Sequence, residues 1–425
     1  MTSAATAFVF LLFIGAPVGV VMVMAGLAGS VELGGTRFLA IIAERMFSGT
    51  SGYLLMAIPY FIFTAELMNE AGLTNRLIAF NNALLGRVRG ALSHVNITVS
   101  LFFSGLTGAA ITDTVAVGKI LIPAMKKEGY DPAYSAAVTA CSSIIGPIIP
   151  PSIVMVVYAA ILRDVSVFQL FAAGIVPGLL MAFALLVASF VMARIYNFPR
   201  HGETSLRAAA RSFLPTVPAL LVPFIILGGI LGGLTTVTEA SAFAAMYTIM
   251  VGFLVHRSLN AKRIWRALKT TIQFSGVVFF LLAASTVLGW FVTRSGIARE
   301  AASFIAAIST DPTVQILLVN VLLILLGMVL DVLPALVVVG PVLVPAMIQL
   351  GFDPLHFAIV MILALNLANI TPPVGMTLMT AAKIADVSYE RAIVAAVPFY
   401  LVHLAVLILV SLWPGLVLWF PNLLR

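Results

Sequence analysis

Charged residues are rare in this sequence. Only 9% of its 425 residues are charged, whereas 62% are hydrophobic and the mean hydropathy is +1.14. A soluble domain of this length needs far more charged surface, so the composition excludes a water-soluble globular protein and indicates an integral membrane protein. Apolar runs of about twenty residues recur, and each is long enough to cross about 30 Å of hydrocarbon as a helix.

Catalytic and metal-binding patterns are absent from the sequence as well. Cys141 is the only cysteine, which excludes a disulfide framework and a thiolate metal cage. The five histidines show no HExxH or paired spacing, and there is no Walker sequence, Ser-His-Asp order or metalloprotease motif. Alternating strands of about ten residues are also missing, which leaves helices as the spanning elements. We therefore expect neither an enzyme nor an ATP-driven pump.

Seven apolar runs predict full membrane-spanning helices. They lie at about 6–28, 52–70, 168–193, 213–233, 237–255, 272–293 and 393–420. The first run lacks a basic leader and a small-residue cleavage site, which predicts a true span and not a cleaved signal. Two further apolar stretches, 133–162 and 355–383, contain the sequences GPIIPPS and NITPPVG, and they predict helices that are interrupted inside the membrane.

One segment of the sequence occurs twice. ILIPAMKKEGYDP begins at Ile120, and VLVPAMIQLGFDP begins 222 positions later, at Val342. The two Pro-Pro pairs are separated by the same 222 positions. Each copy is the last part of a longer stretch that consists of two apolar halves around a polar or Gly-containing centre. This arrangement predicts re-entrant helical hairpins at about 92–127 and about 313–350. One duplication at half the chain length is typical of transporters.

The basic residues indicate that the two copies are inverted. If the first span runs outward and each hairpin returns to its own side, sixteen basic residues lie in inner loops and six in outer loops. The first hairpin then enters from the cytoplasm and the second from outside, with 213–233 as the extra crossing. The basic stretch 257–269 predicts an amphipathic interfacial helix.

We therefore predict an all-α polytopic membrane protein with two re-entrant helical hairpins and two interrupted helices. Residues 1–211 form the first inverted repeat, with its hairpin at about 92–127 and its broken helix at 133–162. Residues 212–425 form the extra crossing helix and the second repeat, with its hairpin at about 313–350 and its broken helix at 355–383.

The interruptions and the hairpin centres supply the candidate binding groups. Carbonyls at half-helix C-termini can hold cations, and N–H groups at half-helix N-termini can hold anions. Neutral hard oxygens suit Na⁺ better than a transition metal. For any single Ser or Thr, packing and a bond to its own helix is the competing interpretation. The predicted Na⁺ ligands are Ser104, Thr107, Ser143, Gly146, Pro150, Gly327, Asp331, Asn369, Thr371 and Gly375.

Carboxylates inside predicted membrane segments are candidates of their own. Asp113 and Asp331 both lie in the hairpins, where an ionisable side chain is by default a functional candidate. Asp113 is close in sequence to Lys119, so a structural ion pair between them is the alternative. Glu239 is predicted to lie at a helix start, where a carboxylate favours the helix dipole.

Several of these segments resemble the large membrane subunit of tripartite ATP-independent periplasmic (TRAP) transporters. They are SGLTGAAITDTVAVGKILIPAM, GPIIPPS, LGGILGGLTTVTEASAFAAMY and NITPPVG, and the resemblance extends over essentially the whole chain. Leu106 departs from the family pattern, which often has a second serine there. The family implies an elevator, in which a mobile transport domain moves against a scaffold, the two being interleaved across both repeats. It also implies a bacterial inner-membrane location and a Na⁺ gradient as the driving force.

The resemblance also implies partners and a site layout. A periplasmic binding protein would deliver an organic carboxylate, such as a C4-dicarboxylate or sialic acid, and a separate small four-helix membrane subunit would complete the system. One Na⁺ would lie between 104–108 and 143–150, and another between 327–331 and 369–375. The substrate carboxylate would contact Ser104, Gly105, Ser152 and Thr377.

Two other functions compete with this expectation. One is a single-component Na⁺- or H⁺-coupled carboxylate symporter that needs no binding protein. The other is a channel-like protein or a membrane-embedded enzyme, against which stand the missing catalytic constellation and the duplication, whose use is alternating access.

Overall fold

The computed structural model describes residues 2–35, 39–86, 88–107, 109–198 and 206–424, and their side chains except those of residues 34, 39–40, 103–107 and 206–209. Over these ranges the chain is helical and contains no β-strand. Six helices in the described ranges are long and apolar enough to cross a membrane, or seven if the bent pair Ile41–Thr50 and Tyr53–Glu70 is one span. The prediction of an all-α multi-pass membrane protein is confirmed.

The helices follow one another with short connections. The first half contains α1 (Thr2–Phe13), α2 (Val18–Gly34), α3 (Leu39–Thr50), α4 (Ala57–Glu70), α5 (Leu73–Leu85), α6 (Ala91–Thr107), α7 (Ala110–Lys127), α8 (Pro132–Ser143), α9 (Ile153–Leu162) and α10 (Val167–Ile195). The second half contains α11 (Leu206–Leu231), α12 (Val237–Met250), α13 (Ala261–Ser295), α14 (Ile297–Ile308), α15 (Pro312–Gly327), α16 (Val332–Gln349), α17 (Pro354–Ala368), α18 (Met376–Ala385), α19 (Tyr389–Leu412) and α20 (Gly415–Leu423).

Polar residues in the sequence set several helix starts. Ser166 and Gln169 exchange side-chain hydrogen bonds with each other's backbone N–H at the start of α10. Thr236 and Glu239 make the same capping box at the start of α12, where Thr236 N lies 2.8 Å from a Glu239 carboxylate oxygen. Glu239 is therefore a helix-capping residue, as its position predicted.

The prediction of one span at 6–28 is wrong, because two helices occupy this region. Gly15 adopts a left-handed conformation (φ 78°), and Pro17 stands directly before the first turn of α2. Helices α1 and α2 pack antiparallel, and the Ser3 hydroxyl donates to Ala28 O across the pair (3.2 Å). At about 18 Å, α1 is too short to cross a membrane.

The α1–α2 pair lies beside only one half of α13. Gly19 of α2 faces the Phe280 ring and Gly29 faces the Phe291 ring, so α2 runs parallel to α13. Because α2 begins level with Phe280, the turn between α1 and α2 lies near the middle of α13. About 28 Å of α13 remains on the side of its first residue, Ala261.

Helices α3 and α4 run in the opposite direction along α13. Thr286 donates to Arg45 O (2.7 Å), whereas Glu70 at the end of α4 pairs with Arg266 near the start of α13 (3.1 Å). The two helices therefore cover most of α13, with a bend of 54° between them. Ser3 lies at the same end of α13 as Arg45. The first residues therefore lie on the side opposite to the one that a single first span predicts. The predicted sides of α5 and the later helices are unchanged.

The predicted separation of the basic stretch 257–269 from the span 272–293 is also wrong. Residues 261–295 form the single helix α13. The connecting sequence KTTIQF contains neither Gly nor Pro, so nothing in it ends a helix. The basic residues thus form the first turns of a helix that continues into the apolar segment.

Two other predicted spans differ from the observed helices. The span predicted at 52–70 consists of a 3₁₀ turn, Tyr53–Met56, followed by α4. The span predicted at 393–420 ends at Leu412, because Trp413 and Pro414 interrupt it before α20. Trp413 and Pro414 add to the apolar composition of this stretch, so composition alone predicts a continuous span at 393–420.

The repeat of 222 residues is visible in the helix starts. Helices α7 and α16 begin 222 positions apart, as do α8 and α17. Asp131 accepts hydrogen bonds from two backbone N–H groups of α8, and Asp353 accepts one from α17. The Gly-(Tyr/Phe)-Asp-Pro sequence that recurs is therefore the start of a helix, with Asp as N-cap and Pro at the first helical position.

Helices of the two copies pack against each other. Helix α8 of the first copy contacts α18 and α19 of the second. The Lys126 ammonium group donates to Ala385 O (2.8 Å), and the His403 ring bonds to Cys141 O (2.9 Å). Helices α6–α10 and α15–α20 therefore form one packed set, which we call the hairpin set. Helices α1–α5 and α11–α13 form a second set, which we call the α13 set, and α14 packs mainly against α16 of the hairpin set.

Candidate functional site

The interruption in the first copy separates α8 from α9. Ser143 is the last residue of α8 and is fully buried, and its hydroxyl donates to Thr139 O (2.8 Å). Ser152 is the N-cap of α9; its hydroxyl donates to Pro147 O (2.6 Å) and accepts from the backbone N–H three residues later (3.3 Å). The Ser152 hydroxyl therefore donates and accepts within the segment that joins α8 to α9. Between these serines lie the predicted Gly146 and Pro150.

The tip of the first hairpin lies outside the side chains that the structure describes. Ser104, Gly105 and Thr107 belong to the last turns of α6, whose backbone alone is described, and Gly108 lies outside the described residues. The roles of Ser104, Gly105 and Thr107 as Na⁺ or substrate contacts therefore stay predictions.

The second copy brings its hairpin tip into contact with its interruption, which separates α17 from α18. Asp331 is the N-cap of α16, and its Oδ1 accepts from its own helix N–H and from Asn369 Nδ2, each at 2.8 Å. Gly327 ends α15 so close to α17 that a Cβ there would lie 2.6 Å from Ala368 Cβ. The predicted Gly327, Asp331 and Asn369 are thus brought together.

Tyr389, the first residue of α19, is hydrogen-bonded to the backbone of this interruption. Its hydroxyl donates to Val374 O (2.7 Å), and a Cβ on Gly375 would lie 2.6 Å from that hydroxyl oxygen. Gly375 itself is left-handed (φ 50°, ψ 61°), a conformation that favours glycine. Sequence reasoning missed Tyr389, because its position at the start of another helix carries no local signal for this contact.

Three buried oxygens beside the second interruption have no hydrogen-bond partner among the described residues. They are Asn366 Oδ1, Asn369 Oδ1 and Thr377 Oγ1. The amide nitrogens of the two asparagines are engaged, that of Asn366 with Ile362 O and that of Asn369 with Asp331 (2.8 Å each). An unsatisfied buried acceptor costs about 1–3 kcal/mol, so a cluster of them indicates a ligand.

Thr371 lies within the same interruption. Its hydroxyl proton goes to Leu367 O (2.8 Å), so the lone pairs of its oxygen point away from that bond. Together with the aspartate, the asparagine oxygens and the threonine, the donor set consists of hard oxygens. This set fits an alkali cation and does not fit a soft metal.

An ion pair between Asp113 and Lys119 does not form, so that interpretation is wrong. Asp113 is fully buried, and the hydroxyls of Ser143 and Ser100 lie beside it. Lys119 is exposed and faces a cavity between α4, α7 and α13. Six helical residues separate the two side chains by about 240°, which places them on different faces of α7.

Cavities open between the two helix sets at both ends of α4. One has a volume of about 580 Å³ and is bordered by Tyr53 and by Arg163 and Asp164 of the α9–α10 loop. Burial raises the pKa of the Asp164 carboxyl. The other has a volume of about 390 Å³ and is bordered by Glu66 and Asn69 of α4 and by Lys119. Both cavities therefore lie at the boundary between the hairpin set and the α13 set.

Comparison with known families decides what kind of protein this is. The profile described as "Tripartite ATP-independent periplasmic transporter, DctM component" matches residues 5–416. The chain belongs to this family. It is accordingly a membrane component of a three-part transport system and not an enzyme.

Relatives and solved structures agree with membership of the DctM family. The chain is 35% identical to the sialic acid TRAP transporter large permease protein SiaM of Vibrio cholerae serotype O1, covering 97% of this chain and 96% of that protein. It is 33% identical to the C4-dicarboxylate TRAP transporter large permease protein DctM of Pseudomonas aeruginosa, covering 90% and 89%. The fold is similar to that of the Alcanivorax borkumensis YdaH transporter, with a TM-score of 0.66 and 17% identity over 90% of this chain and 89% of the other.

Proposed function

We propose that this DctM-family chain carries out Na⁺-coupled uptake of an organic carboxylate across the bacterial inner membrane. A periplasmic binding protein delivers the carboxylate, and a separate small membrane subunit completes the complex. The relatives named for sialic acid and for C4-dicarboxylates support a carboxylate as the substrate class. The observation that carries the coupling ion is the group of unpartnered buried oxygens at the second interruption.

We assign the second Na⁺ to the space between the α15–α16 tip and the α17–α18 interruption. Asp331 supplies a negative charge there, and Asn366, Asn369 and Thr371 supply neutral oxygens. Helix α17 ends at this point, and the partial negative charge of a helix C-terminus adds to the attraction for a cation. The first Na⁺ is assigned by the repeat to the equivalent space near Ser143, Gly146 and the α6–α7 tip.

The substrate carboxylate is assigned to the N-terminal ends of the second half-helices. Thr377 stands in the first turn of α18, and its buried hydroxyl oxygen has no hydrogen-bond partner in the described part of the chain. Helix N-termini attract anions through their free N–H groups. Ser152 occupies the equivalent end of α9, but its hydroxyl is already engaged in two bonds, so Thr377 is the stronger contact of the two.

Transport is assigned to a movement of the hairpin set against the α13 set. Hydrogen bonds connect the two copies within the hairpin set. This set can therefore move as one body, as an elevator requires. Cavities at both ends of the boundary between the sets provide the approaches from the two sides. Inverted copies explain why one packed body can serve both sides in turn.

Replacing Thr371 with Ala tests the ion assignment. We expect the Na⁺ concentration for half-maximal uptake to rise about tenfold, because one oxygen ligand worth about 1.4 kcal/mol is lost. Uptake is measured in proteoliposomes that contain the chain, its small subunit and its binding protein, with radiolabelled N-acetylneuraminate and succinate as probes. The same variant should show a smaller Na⁺-induced rise in the unfolding temperature of the purified chain.

Thr248→Ala is the matched control for that experiment. Thr248 is buried in α12, in the α13 set, and its hydroxyl also bonds to the carbonyl four residues earlier (2.8 Å). Both variants lose the same local bond, but only Thr371 borders the proposed ion. Equal Na⁺ activation in wild type, Thr371→Ala and Thr248→Ala would contradict the ion assignment.

The same proteoliposomes separate the competing functions. Uptake by the chain alone would favour a single-component symporter. Flux that does not saturate and follows only the substrate gradient would favour a channel. The proposed function requires saturable uptake that depends on all three components and on an inward Na⁺ gradient.

A further inference from the structure

Asp113 is a fully buried carboxylate inside the first hairpin. It lies in the first turn of α7 and has no exposed surface. Among the residues that the structure describes, neither Oδ1 nor Oδ2 has a hydrogen-bond partner. An ionised carboxylate in such a place costs several kcal/mol unless a cation or strong donors compensate it. The groups around Asp113 therefore determine how its charge is compensated.

One of the two hydroxyls beside Asp113 is also hydrogen-bonded to a backbone carbonyl. Ser143 lies beside the carboxylate, but its hydroxyl donates to Thr139 O (2.8 Å). A hydroxyl has a single proton, so Ser143 cannot donate to Thr139 O and to Asp113 at once. While its proton is engaged with Thr139 O, the Ser143 oxygen can share a cation with the carboxylate.

The surroundings of Asp113 form a connected network of neutral oxygens. Asn96 donates to Thr139 Oγ1 (2.7 Å) and accepts from Ser142 (3.1 Å), and Ser100 and Ser142 lie 3.1 Å apart. All these side chains are fully buried at the contact of α6, α7 and α8. These neutral oxygens can help to hold an ion. Among the described residues of the network there is no Lys or Arg that could pair with the Asp113 carboxylate.

The end of α8 adds to the negative potential at Asp113. Ser143 is the last residue of this helix, and a helix ends with carbonyls that have no intrahelical partner and a partial negative charge. The carboxylate and the helix end therefore attract the same cation. The N-terminus of α7, in whose first turn Asp113 lies, favours the ionised form of this carboxylate.

We propose that Asp113 is the anionic ligand of a Na⁺ held inside the first hairpin, with hydroxyls of Ser100 and Ser143 beside it. This inference rests on the Na⁺ coupling of the proposed function and extends it, because the repeat does not assign a carboxylate to the first ion. The position 222 residues after Asp113 is Ala335, and the position 222 before Asp331 is Ala109. Each copy thus has one carboxylate that faces the end of the first half-helix, but at non-equivalent places.

Asp113→Asn tests this ligand, because the amide has nearly the same shape and no charge. In K⁺ buffer we expect the unfolding temperature of the variant to equal or exceed that of wild type, since an uncompensated buried charge is removed. In Na⁺ buffer of equal ionic strength, the stabilisation by Na⁺ should be smaller. The half-saturating Na⁺ concentration should rise at least about tenfold.

Asp311→Asn is the matched control. It makes the same chemical change at the exposed N-cap of α15, where Asn also caps a helix. Its Na⁺ response should equal that of wild type. If Asp113→Asn is not recovered folded, Ser100→Ala removes a hydroxyl beside the carboxylate and should also weaken the Na⁺ response; an unchanged response would overturn the proposal.

The outcomes separate this inference from the proposed function. If wild type responds equally to Na⁺ and K⁺, the Na⁺ coupling itself fails. If wild type responds to Na⁺ and Asp113→Asn responds just as strongly, only the Asp113 ligand fails. If Asp113→Asn keeps the Na⁺ response but loses a dependence of the unfolding temperature on pH, a proton occupies the carboxylate and the Na⁺ assignment is overturned.

Discussion

Single atoms, more than residue types, distinguish the site in this protein. The sequence contains many Ser, Thr and Asn residues, and their letters do not reveal which oxygen is left without a partner. Asn366 shows the difference: its nitrogen bonds to its own helix, whereas its oxygen has no partner among the described residues. Ser152 shows the opposite case, because both functions of its hydroxyl are used locally.

Gly375→Ala should destabilise the protein and weaken its Na⁺ response. The left-handed backbone costs an alanine about 1–2 kcal/mol, and the new Cβ would lie 2.6 Å from the Tyr389 hydroxyl oxygen. Gly351→Ala is the control, since its φ is 92° and no described atom lies within 4 Å of a Cβ there. The unfolding temperature should fall for both and further for Gly375→Ala; equal losses would contradict a role of the Tyr389 contact.

Residue-scale prediction from sequence succeeded where a residue's role depends on its neighbours in the chain. The capping role of Glu239 and the clustering of Asp331 with Asn369 follow from local patterns around a helix start and a Pro-Pro pair. The environment of Asp113 depends on the packing of three helices. Sequence left two interpretations of Asp113 open, and the structure removed the ion pair with Lys119.

Helices in this protein end where the chain has a specific reason to end. The interruptions at the two Pro-Pro pairs were predictable, because proline removes N–H donors and the pattern occurs twice. The hairpin of α1 and α2 was not predicted, although Gly15 and Pro17 lie within it. A run of apolar residues long enough to cross a membrane outweighed these two breakers, and composition cannot distinguish one long helix from two short ones.

Gly174→Ala should disturb the contact of α10 with the first interruption. A Cβ at this position would overlap the backbone oxygen of Ile148, which cannot move without moving the interruption. The unfolding temperature should fall, and uptake in proteoliposomes should fall with it. Gly276→Ala, in α13, places its Cβ where no described atom lies within 4 Å, so stability should be unchanged or higher. The same loss in both variants would exclude the close approach as the cause.

The whole molecule contains a segment that occurs twice, and the spacing of the two copies is readable from the sequence alone. A shift of 222 positions aligns the starts of α7 with α16 and of α8 with α17. Which helices join the hairpin set could not be read, because contacts such as Lys126 with Ala385 connect residues far apart in the chain. The sides of the membrane stay a prediction from the basic residues.

Cysteine labelling tests the side on which the first residues lie. Cys141 is buried, so a Cys141→Ala background leaves no described thiol. In it, Thr2→Cys should be labelled by a membrane-impermeant maleimide from the same side as Arg299→Cys, after α13, and from the side opposite Lys262→Cys, at its start. A single first span instead requires Thr2→Cys to follow Lys262→Cys, and that result would contradict the α1–α2 hairpin.

The pairing of α8 with α18 has a consequence for how a ribosome makes this protein. Met376, where α18 begins, is synthesised about 230 residues after Ser143, where α8 ends. At about 5–20 residues per second, α8 spends about 10–50 s in or near the bilayer before its neighbour exists. During that time its serines, which are buried in the folded protein, contact lipid or the insertion machinery instead of α18. Biosynthesis must therefore shelter the first half of this transporter until the second half is translated.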